Sequence, residues 1–316
     1  MTLKKQVLVT GSSGYVASHL IPMLDKEHET IGIDLIEGPH TDCSENIAHV
    51  DFNDVRWDFL RRNAIVVNLA AIRTDFGAKA TDYYEVNVEN CRAFLRALSP
   101  LKLEMFIHVS SVASFDGRDL TYKPTMNTDD AYRVTKFLQE ELVREFCEAQ
   151  GIKLMVLYPS AIFDRSARSD TNIGKLQTLA TKLPLIPKLT VRKTVTYLNH
   201  FCNFILESGI KSQSSGCFLT IERPVLTVSE MMSALTQNTK SLVFIPYFYP
   251  MLKITARLLF AIGGFGRVDL GLTPNRVEKL FSDTTYDEAL ALSDGVELYR
   301  YEEFVENDLP TVLESI

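Results

Sequence analysis

Short apolar runs alternate with segments of helical periodicity through the first half of the chain. The runs Gln6–Thr10, Ile65–Asn68 and Met105–Val109 are almost continuously apolar, which is typical of strands buried on both faces. Between the last two, the segment from about Tyr83 to Leu98 carries apolar residues at helical spacing. This alternation predicts an α/β fold with a doubly wound parallel sheet over residues 1–164.

The patterns shorten beyond residue 164, where prolines cluster at Pro184 and Pro187. Val195 to Ile221 has the pattern strand, helix, strand. We expect residues 165–316 to form mostly a smaller C-terminal cap on the larger part.

One segment, Phe244 to Phe265, is strongly apolar. Its uncharged core is shorter than the ~20 residues that span a bilayer, and Lys253 and Arg257 interrupt it. Packing of a helix against the cap is the favoured interpretation, and an amphipathic helix on a membrane surface is the alternative. No firm membrane anchor is predicted.

Composition and charge exclude several classes of protein. The 316 residues are 46% hydrophobic and 23% charged, as in a globular protein with one large core, and the net charge of −7 argues against a general nucleic-acid binder. The five cysteines are odd in number and scattered, so they fit neither a disulfide framework nor a zinc cluster. The N-terminus enters a strand at once, without the apolar core of a signal peptide. We expect a cytoplasmic protein with no metal site.

A glycine-rich turn follows the first strand. In Gly11-Ser-Ser-Gly14-Tyr-Val-Ala17, Gly11 permits a tight turn, Gly14 lets the backbone approach a pyrophosphate, and Ala17 allows close helix–strand packing. The following helix N-terminus supplies free N–H groups for phosphates. An ordinary strand-to-helix turn is the alternative, but the flanking pattern favours dinucleotide binding.

Asp34 ends the next strand, 20 residues beyond Gly14. A carboxylate at this position accepts hydrogen bonds from the adenosine ribose and repels the additional phosphate of NADP. No arginine or lysine follows before Arg56, so NAD is favoured. A turn residue at a strand end is the alternative. Further along, Asp51 is positioned to meet the adenine edge.

Polar residues end the next two strands and open a long helix. Small residues follow Asn68, and Ser110 and Ser111 end the strand that begins at Met105, where open α/β sheets bind ligands. Tyr132 and Lys136 are four residues apart, hence on one helix face, where an ammonium group lowers a phenol pKa. Tyr-x-x-x-Lys alone is a weak signal, and capping serines are common, so the order of all these features carries the argument.

That order resembles a known family. Gly11-x-x-Gly14-x-x-Ala17, Asp34, Asn68-Leu-Ala-Ala71, Asn87, Ser110-Ser111 and Tyr132-x-x-x-Lys136 resemble the extended short-chain dehydrogenase/reductases, more narrowly their NAD-dependent epimerase/dehydratase group, which acts on nucleotide sugars. The resemblance implies a Rossmann fold, in which residues 195–221 return to the main sheet and the cap binds substrate. It also implies a homodimer.

The resemblance assigns roles by position. Tyr132 would be the acid/base, Lys136 its pKa-lowering partner, and Ser111, rather than Ser110, the partner of the substrate hydroxyl. Implied NAD contacts are Gly11, Ser13, Gly14, Tyr15, Val16, Asp34, Asp51, Phe52, Leu69, Ala70, Ala71, Asn87, Tyr132, Lys136 and Pro159. Implied substrate contacts are Arg73, Ser111, Ser160, Asn172 and Arg192, the last facing a diphosphate unless it is simply a solvated arginine.

Three positions depart from the family pattern: Phe115 replaces a tyrosine, Tyr158 replaces an arginine, and Asp164 stands where a Val-Tyr-Gly-Pro motif is usual. Val112 and Ala113 replace the acid pair of the 4,6-dehydratases, which argues against that dehydration. An epimerase and a ketoreductase or dehydrogenase of nucleotide sugars fit equally. A hydroxysteroid or other alcohol dehydrogenase, and a non-catalytic NAD(H)-binding regulator, are the alternatives.

Overall fold

The structure is a computed structural model that describes residues 4–35, 60, 63–73, 78–165, 171–223, 225–237, 240–263, 273–286 and 297–298. The chain divides into two compact units. The first comprises residues 1–160, 198–220 and 291–299, and the second comprises residues 161–197, 221–290 and 300–316.

The strands are short, and most of those in the first unit are fully buried. They are β1 (Gln6–Thr10), β2 (Glu29–Ile33), β3 (Ile65–Asn68), β4 (Met105–Val109), β5 (Lys153–Pro159), β6 (Ala161–Phe163), β7 (Ile186–Pro187), β8 (Arg192–Lys193), β9 (Val195–Tyr197), β10 (Gly216–Thr220), β11 (Leu226–Thr227), β12 (Leu242–Val243) and β13 (Glu297–Leu298).

Two of the helices run directly into π-helical segments. The helices are α1 (Tyr15–Leu24), α2 (Ala80–Tyr84), α3 (Asn90–Leu98), α4 (Ala113–Gly117), α5 (Thr128–Gln150), α6 (Asn172–Lys182), α7 (Leu198–Phe204), α8 (Val228–Leu235), α9 (Phe248–Ile262) and α10 (Pro274–Leu280). The π-helical segment Glu85–Glu89 joins α2 to α3, and Ile205–Lys211 extends α7.

The first unit is built on a parallel sheet. Its described strands lie in the order β13-β10-β5-β4-β3-β1-β2, and every neighbouring pair is parallel. β1 pairs with both β2 and β3, so the chain reverses its direction of progress across the sheet at β1. Loops after β1 and β3 therefore meet at a topological switch point, where open α/β sheets bind ligands. The predicted doubly wound fold class is confirmed.

Helix α5 is the longest described helix of the first unit, and its sequence fixes both ends. The Asn127 side chain accepts a hydrogen bond from the Asp130 amide, and Asp129 and Asp130 lie in the first turn, where the helix dipole favours acids. The helix stops at Gly151, which adopts a left-handed conformation with φ +64°. One face of α5 is buried, and that face carries the predicted Lys136.

The second unit has its own apolar core. The core residues are Phe163, Ile173, Leu176, Ala180, Ile186, Val195, Leu226, Val228, Met231, Met232, Ala234 and Leu235. Lysine side chains satisfy helix C-terminal carbonyls in this unit. The Lys240 ammonium donates to the carbonyls of Ala180, Thr181 and Leu183 around the end of α6, and the Lys193 ammonium donates to the Lys279 carbonyl near the end of α10. Of the helices in the described residues, none is long and apolar enough to cross a bilayer.

Candidate active site

The glycine loop after β1 closely approaches the loop after β3. Gly11 has φ +70°, and a Cβ at this position would lie 3.0 Å from the Ala70 Cα. Gly14 is the N-cap of α1, and its N–H donates to the Gly11 carbonyl over 2.9 Å. A side chain at Gly11 would both strain the turn and collide with the second loop, so the backbone itself forms this surface.

The end of β2 is attached to the same loop. The Ser13 amide donates to Asp34 Oδ2 over 2.9 Å, and the Ser12 amide donates to the Ile33 carbonyl. Tyr15 and Val16 lie in the first turn of α1, and in the described residues no side chain caps the N-terminus of this helix. Helix N-terminal amides, a glycine turn and a carboxylate are the groups that hold a dinucleotide, so these residues fit NAD.

A series of hydrogen bonds between buried polar side chains holds the loop after β3. The Thr10 hydroxyl donates to Asn68 Oδ1 over 2.6 Å and accepts the Ala70 N–H at 3.3 Å. Asn68 Nδ2 lies 3.2 Å from His108 Nδ1. Burial lowers the pKa of His108 well below its usual value, so the imidazole is neutral and Nδ1 can accept. These hydrogen bonds hold the backbone of the segment that contains Leu69, Ala70 and Ala71.

Asn87 lies in the π-helical segment and is fully buried. Its Oδ1 accepts the Ile72 N–H at 2.8 Å, and its Nδ2 donates to Thr135 Oγ1 at 3.1 Å. Asn87 therefore ties the loop after β3 to helix α5. Both contacts are to protein atoms, which is the geometry of a positioning residue; the direct NAD contact stays a prediction.

Lys136 is 2% exposed, and its ammonium donates to the Val109 carbonyl at 2.9 Å and to Gln139 Oε1 at 2.6 Å. Gln139 in turn donates to the Ala70 carbonyl at 3.0 Å. Burial lowers the pKa of Lys136 to about 8. The ammonium is thus charged at neutral pH and linked through Gln139 to the glycine-loop region.

Tyr132 is half-buried one turn before Lys136 on α5. Its ring makes an edge contact with Tyr83, with centroids 6.3 Å apart, and the Arg73 guanidinium carbon lies 5.9 Å from its centroid. Within the described part of the chain, the Tyr132 hydroxyl makes no hydrogen bond. The ring contacts thereby orient the phenol, while its oxygen is not bonded to any of the described residues.

The two serines after β4 have different surroundings. The Ser110 hydroxyl donates to Glu140 Oε2 at 2.8 Å. Ser111 Oγ accepts the Ala113 N–H at 3.2 Å, and its own O–H donates to none of the described groups. Ser110 is therefore part of a buried network with Glu140, whereas the role of Ser111 as partner of a substrate hydroxyl stays a prediction.

Glu140 is the centre of a buried network that the sequence analysis missed. Its Oε1 accepts from both Nε and Nη2 of Arg144, at 3.0 and 2.7 Å, and from the Tyr158 hydroxyl at 2.5 Å. Burial, reinforced by the Glu140 charge, raises the pKa of Tyr158, so the phenol stays a donor. The signal in the sequence was the four-residue spacing of Lys136, Glu140 and Arg144 on one helix.

Two of the departures from the family pattern touch one another. The rings of Phe115 and Tyr158 lie 4.7 Å apart between centroids. The Tyr158 hydroxyl and the Arg144 guanidinium both donate to Glu140. The substitutions at 115 and 158 thus form one packed unit, and the third departure, Asp164, belongs to the second unit of the chain.

The remaining predicted residues are distributed as follows. Pro159 ends β5 and accepts the Val112 N–H at 3.1 Å, and Ser160 after it is buried. Asn172 is exposed in the first turn of α6, and Arg192 is exposed on β8, where its N–H donates to Asp283. Both belong to the second unit. Asp51 and Phe52 lie outside the described residues.

Comparison with known proteins agrees with this geometry. Residues 7–184 match the family described as NAD dependent epimerase/dehydratase. Over 302 residues the chain is 22% identical to N-acetyl-alpha-D-glucosaminyl-diphospho-ditrans,octacis-undecaprenol 4-epimerase of Escherichia coli O157:H7, which covers 93% of this chain and 90% of that protein. A 3-beta-hydroxysteroid dehydrogenase of Mycolicibacterium neoaurum is 27% identical over 51% of this chain and 48% of its own length.

The match to three of the curated relatives spans 48% to 61% of their own length. Among solved structures, UDP-glucuronic acid 4-epimerase of Bacillus cereus in complex with NAD superposes with a TM-score of 0.59 at 18% identity. That match covers 88% of this chain and 100% of the other, and it shows the shared fold.

The matched region contains the glycine loop with Asp34, and it also contains Tyr132 and Lys136 on α5. Because that region is more than half of the chain, this protein belongs to the NAD-dependent epimerase/dehydratase family.

Proposed function

We propose that this chain binds NAD and catalyses reversible hydride transfer at a hydroxyl-bearing carbon of a nucleotide sugar. The observation that carries the proposal is the arrangement of α5, which combines an uncommitted phenol at Tyr132 with a buried, charged amine at Lys136. The same amine is linked through Gln139 to the loop that meets Gly11. Acid/base group and cofactor loop are thereby held by one set of contacts.

NAD would be held by the glycine loop, the α1 N-terminus and Asp34, with further contacts along Leu69, Ala70 and Ala71. When bound, it supplies the hydride acceptor and donor of the reaction. Asp34 already accepts the Ser13 N–H, so its carboxylate is oriented before any ribose arrives. The carboxylate also disfavours the additional phosphate of NADP.

Tyr132 is the proposed acid/base. As phenolate it removes the proton of the substrate hydroxyl while the carbon gives up its hydride, and it returns the proton to the oxygen when hydride comes back. Lys136, one turn further along α5, is the proposed charged partner of Tyr132. For epimerisation, the keto sugar must flip in the site between the two hydride transfers, so that hydride returns to its opposite face. A simple dehydrogenase instead releases the keto sugar as product.

Ser111 is the proposed partner of the reacting oxygen. Its O–H is uncommitted in the described part of the chain, whereas the Ser110 hydroxyl is committed to Glu140. Removing each hydroxyl in a separate variant should distinguish the proposed catalytic role of Ser111 from the structural role of Ser110. We expect Ser111→Ala to lower kcat by about 10²-fold or more through lost transition-state contact. Ser110→Ala should mainly lower stability.

A nucleotide sugar is proposed as substrate because epimerases of such molecules, or of a lipid diphosphate sugar, are among the relatives. Arg192 is exposed on β8, and we assign it to the substrate diphosphate. The hydroxysteroid dehydrogenase relative keeps a second candidate, oxidation of a steroid hydroxyl by the same residues. A cytoplasmic location and a homodimer remain predictions.

The test is a panel of nucleotide sugars and hydroxysteroids incubated with enzyme and NAD. Product chromatography detects a new sugar, and absorbance of NADH detects net oxidation. Epimerisation gives product without net NADH, a dehydrogenase accumulates NADH, and a regulator binds NAD without turnover. No product and no NADH from any member, with NAD bound, would overturn the proposal.

The acid/base assignment has its own test. Tyr132→Phe should abolish turnover, because the proton has no carrier, while the dissociation constant of NAD changes little. Tyr84→Phe removes a phenol hydroxyl on the neighbouring helix α2 and serves as the matched control. Turnover that survives in Tyr132→Phe would remove Tyr132 from the mechanism.

A further inference from the structure

Helix α9 carries a continuous apolar stripe that faces away from its packing partner. Tyr247, just before the helix, and Met251, Ile254, Leu258 and Ile262 follow each other at intervals of three and four residues, hence along one face. Each of these side chains is between 58% and 79% exposed. A stripe this long on a helix of fifteen residues is unusual for a surface in contact with water alone.

The opposite face of α9 is the one that packs. Tyr249 and Phe248 lie against Phe281 just after α10, with ring centroids 4.5 and 6.1 Å apart, and Ala256 is fully buried. Lys253 bonds Glu278 of α10 at 2.9 Å. The sequence expectation of a packed helix therefore describes one face of α9, and the apolar stripe needs a separate explanation.

The sequence around the stripe is basic. Between Glu230 and Asp269 it contains four basic residues and no acid, in a chain whose net charge is −7. Two of the four have partners elsewhere, since Lys253 pairs with Glu278 on the packing face and Lys240 bonds carbonyls at the end of α6. Arg257 is exposed on the flank of the stripe. Lys188 is also exposed, and its N–H bonds the Val243 carbonyl, next to the 75% exposed Phe244. The apolar surface is thus rimmed by cations and aromatic rings.

We propose that the stripe of α9, with Phe244 and Tyr247 at its start, docks on the surface of an anionic lipid bilayer. Apolar side chains would enter the boundary between headgroups and acyl chains, aromatic rings would lie at headgroup level, and Arg257 and Lys188 would meet lipid phosphates. This is attachment in the plane of the interface, and it does not depend on the proposed enzymatic function.

A second copy of this chain is the other candidate for the stripe. Pairing two copies through α9 would bring the same basic residues together, and like charges across an interface are unfavourable. Anionic lipid instead neutralises them. Charge complementarity therefore selects the bilayer.

The experiment is sedimentation of the full chain with vesicles of phosphatidylglycerol and phosphatidylcholine, compared with vesicles of phosphatidylcholine alone. We expect binding to the anionic vesicles that falls in high salt, because the Debye length shrinks to about 3 Å at 1 M. Leu258→Glu and Arg257→Glu should each weaken binding about tenfold or more. Arg96→Glu is the matched control, since Arg96 is exposed on α3 and the change in net charge is the same.

The outcomes are distinguishable. Loss in both α9 variants, with the Arg96→Glu control within about twofold of the parent chain, supports the proposal. Equal binding to neutral vesicles, equal loss in the control, or no vesicle binding by the parent chain overturns it. A parent chain that sediments as a dimer and becomes monomeric in Leu258→Glu, without vesicle binding, assigns the stripe to self-association instead. Thermal unfolding of each variant verifies that the fold is intact.

Discussion

Ala70 is the residue at which the separate parts of the candidate site meet. Its N–H donates to Thr10, its carbonyl accepts from Gln139, and its Cα limits the space beside Gly11. The same Gln139 side chain also accepts a hydrogen bond from the Lys136 ammonium, so it links Ala70 to Lys136. At the scale of single residues, the glycine loop and the helix that carries the proposed acid/base therefore contact one backbone unit.

The first prediction concerns this close approach. Gly11→Ala should weaken NAD binding about tenfold or more, because a methyl group 3.0 Å from the Ala70 Cα displaces the loop after β3. Gly151→Ala is the control. Gly151 has a similar φ of +64° but open space around it, so both variants lose roughly 1–2 kcal/mol of stability from backbone strain and only one disturbs the loop. Calorimetric titration with NAD measures the difference, and equal affinities would show that the approach is irrelevant.

The second prediction concerns Lys136 and pH. Its folded pKa of about 8 lies below the value of about 10.4 in an unfolded chain, so between these values the unfolded state binds more protons and stability rises with pH. Relative to Lys136→Met, the free energy of unfolding of the parent chain should rise by about 3 kcal/mol across this window and stay level below pH 8. Urea denaturation at several pH values tests this. A pH-independent difference between the two proteins would contradict it.

At the scale of elements, α5 combines two tasks along one line of residues. Tyr132, Lys136, Glu140 and Arg144 succeed each other at intervals of four, so they lie one turn apart. The first pair is the proposed acid/base and its proposed charged partner, and the second pair ties the helix to β5 through Tyr158. Rigid attachment of the C-terminal half of α5 thereby holds the N-terminal half in position.

The third prediction tests that attachment. Tyr158→Phe should destabilise the protein by about 1–3 kcal/mol, because a buried hydroxyl that donates to a carboxylate is lost. In a double-mutant cycle with Glu140→Gln, the two effects should be strongly non-additive. Additivity within about 0.5 kcal/mol would mean that the pair does not interact energetically.

The elements show which features a sequence can predict. The strands around Leu8, Val66 and Ile107 were predictable because continuous apolar runs report burial on both faces. The glycine loop was predictable because backbone chemistry determines it locally. The network of Glu140 with Tyr158 was not, because its members are far apart in sequence and ordinary in type. Asn87 was expected to contact NAD, which stays a prediction, and its bonds to Ile72 and Thr135 were not predictable because they depend on tertiary packing.

At the scale of the whole molecule, the chain leaves the first unit after residue 160 and returns to it twice. Residues 198–220 bring β10 beside β5, and β13 extends the same sheet. The predicted family, fold class and NAD dependence are confirmed by the family match and the sheet. Three expectations remain predictions: the roles of individual residues, the substrate, and the binding of NAD by one unit and of substrate by the other.

The fourth prediction follows from the two units. NAD at about 100 times its dissociation constant should add about 2.7 kcal/mol to the stability of the part that binds it. Amides of β1, β3 and β4 should then exchange hydrogen up to about 100-fold more slowly, whereas those of α6 and α8 in the second unit should change much less. Hydrogen exchange followed by mass spectrometry measures both. Protection concentrated in the second unit would contradict the assignment of the cofactor to the first.

The π-helical segment Glu85–Glu89 has a consequence for comparing this chain with its relatives. Such a segment is a helix that accommodates one surplus residue, and it is what aims Asn87 at both Ile72 and Thr135. Deleting one position here would restore regular winding and swing the amide by about 100° around the helix axis. A single-residue gap between positions 80 and 98 of an alignment would therefore mark a homologue that must anchor its own β3 loop by different means.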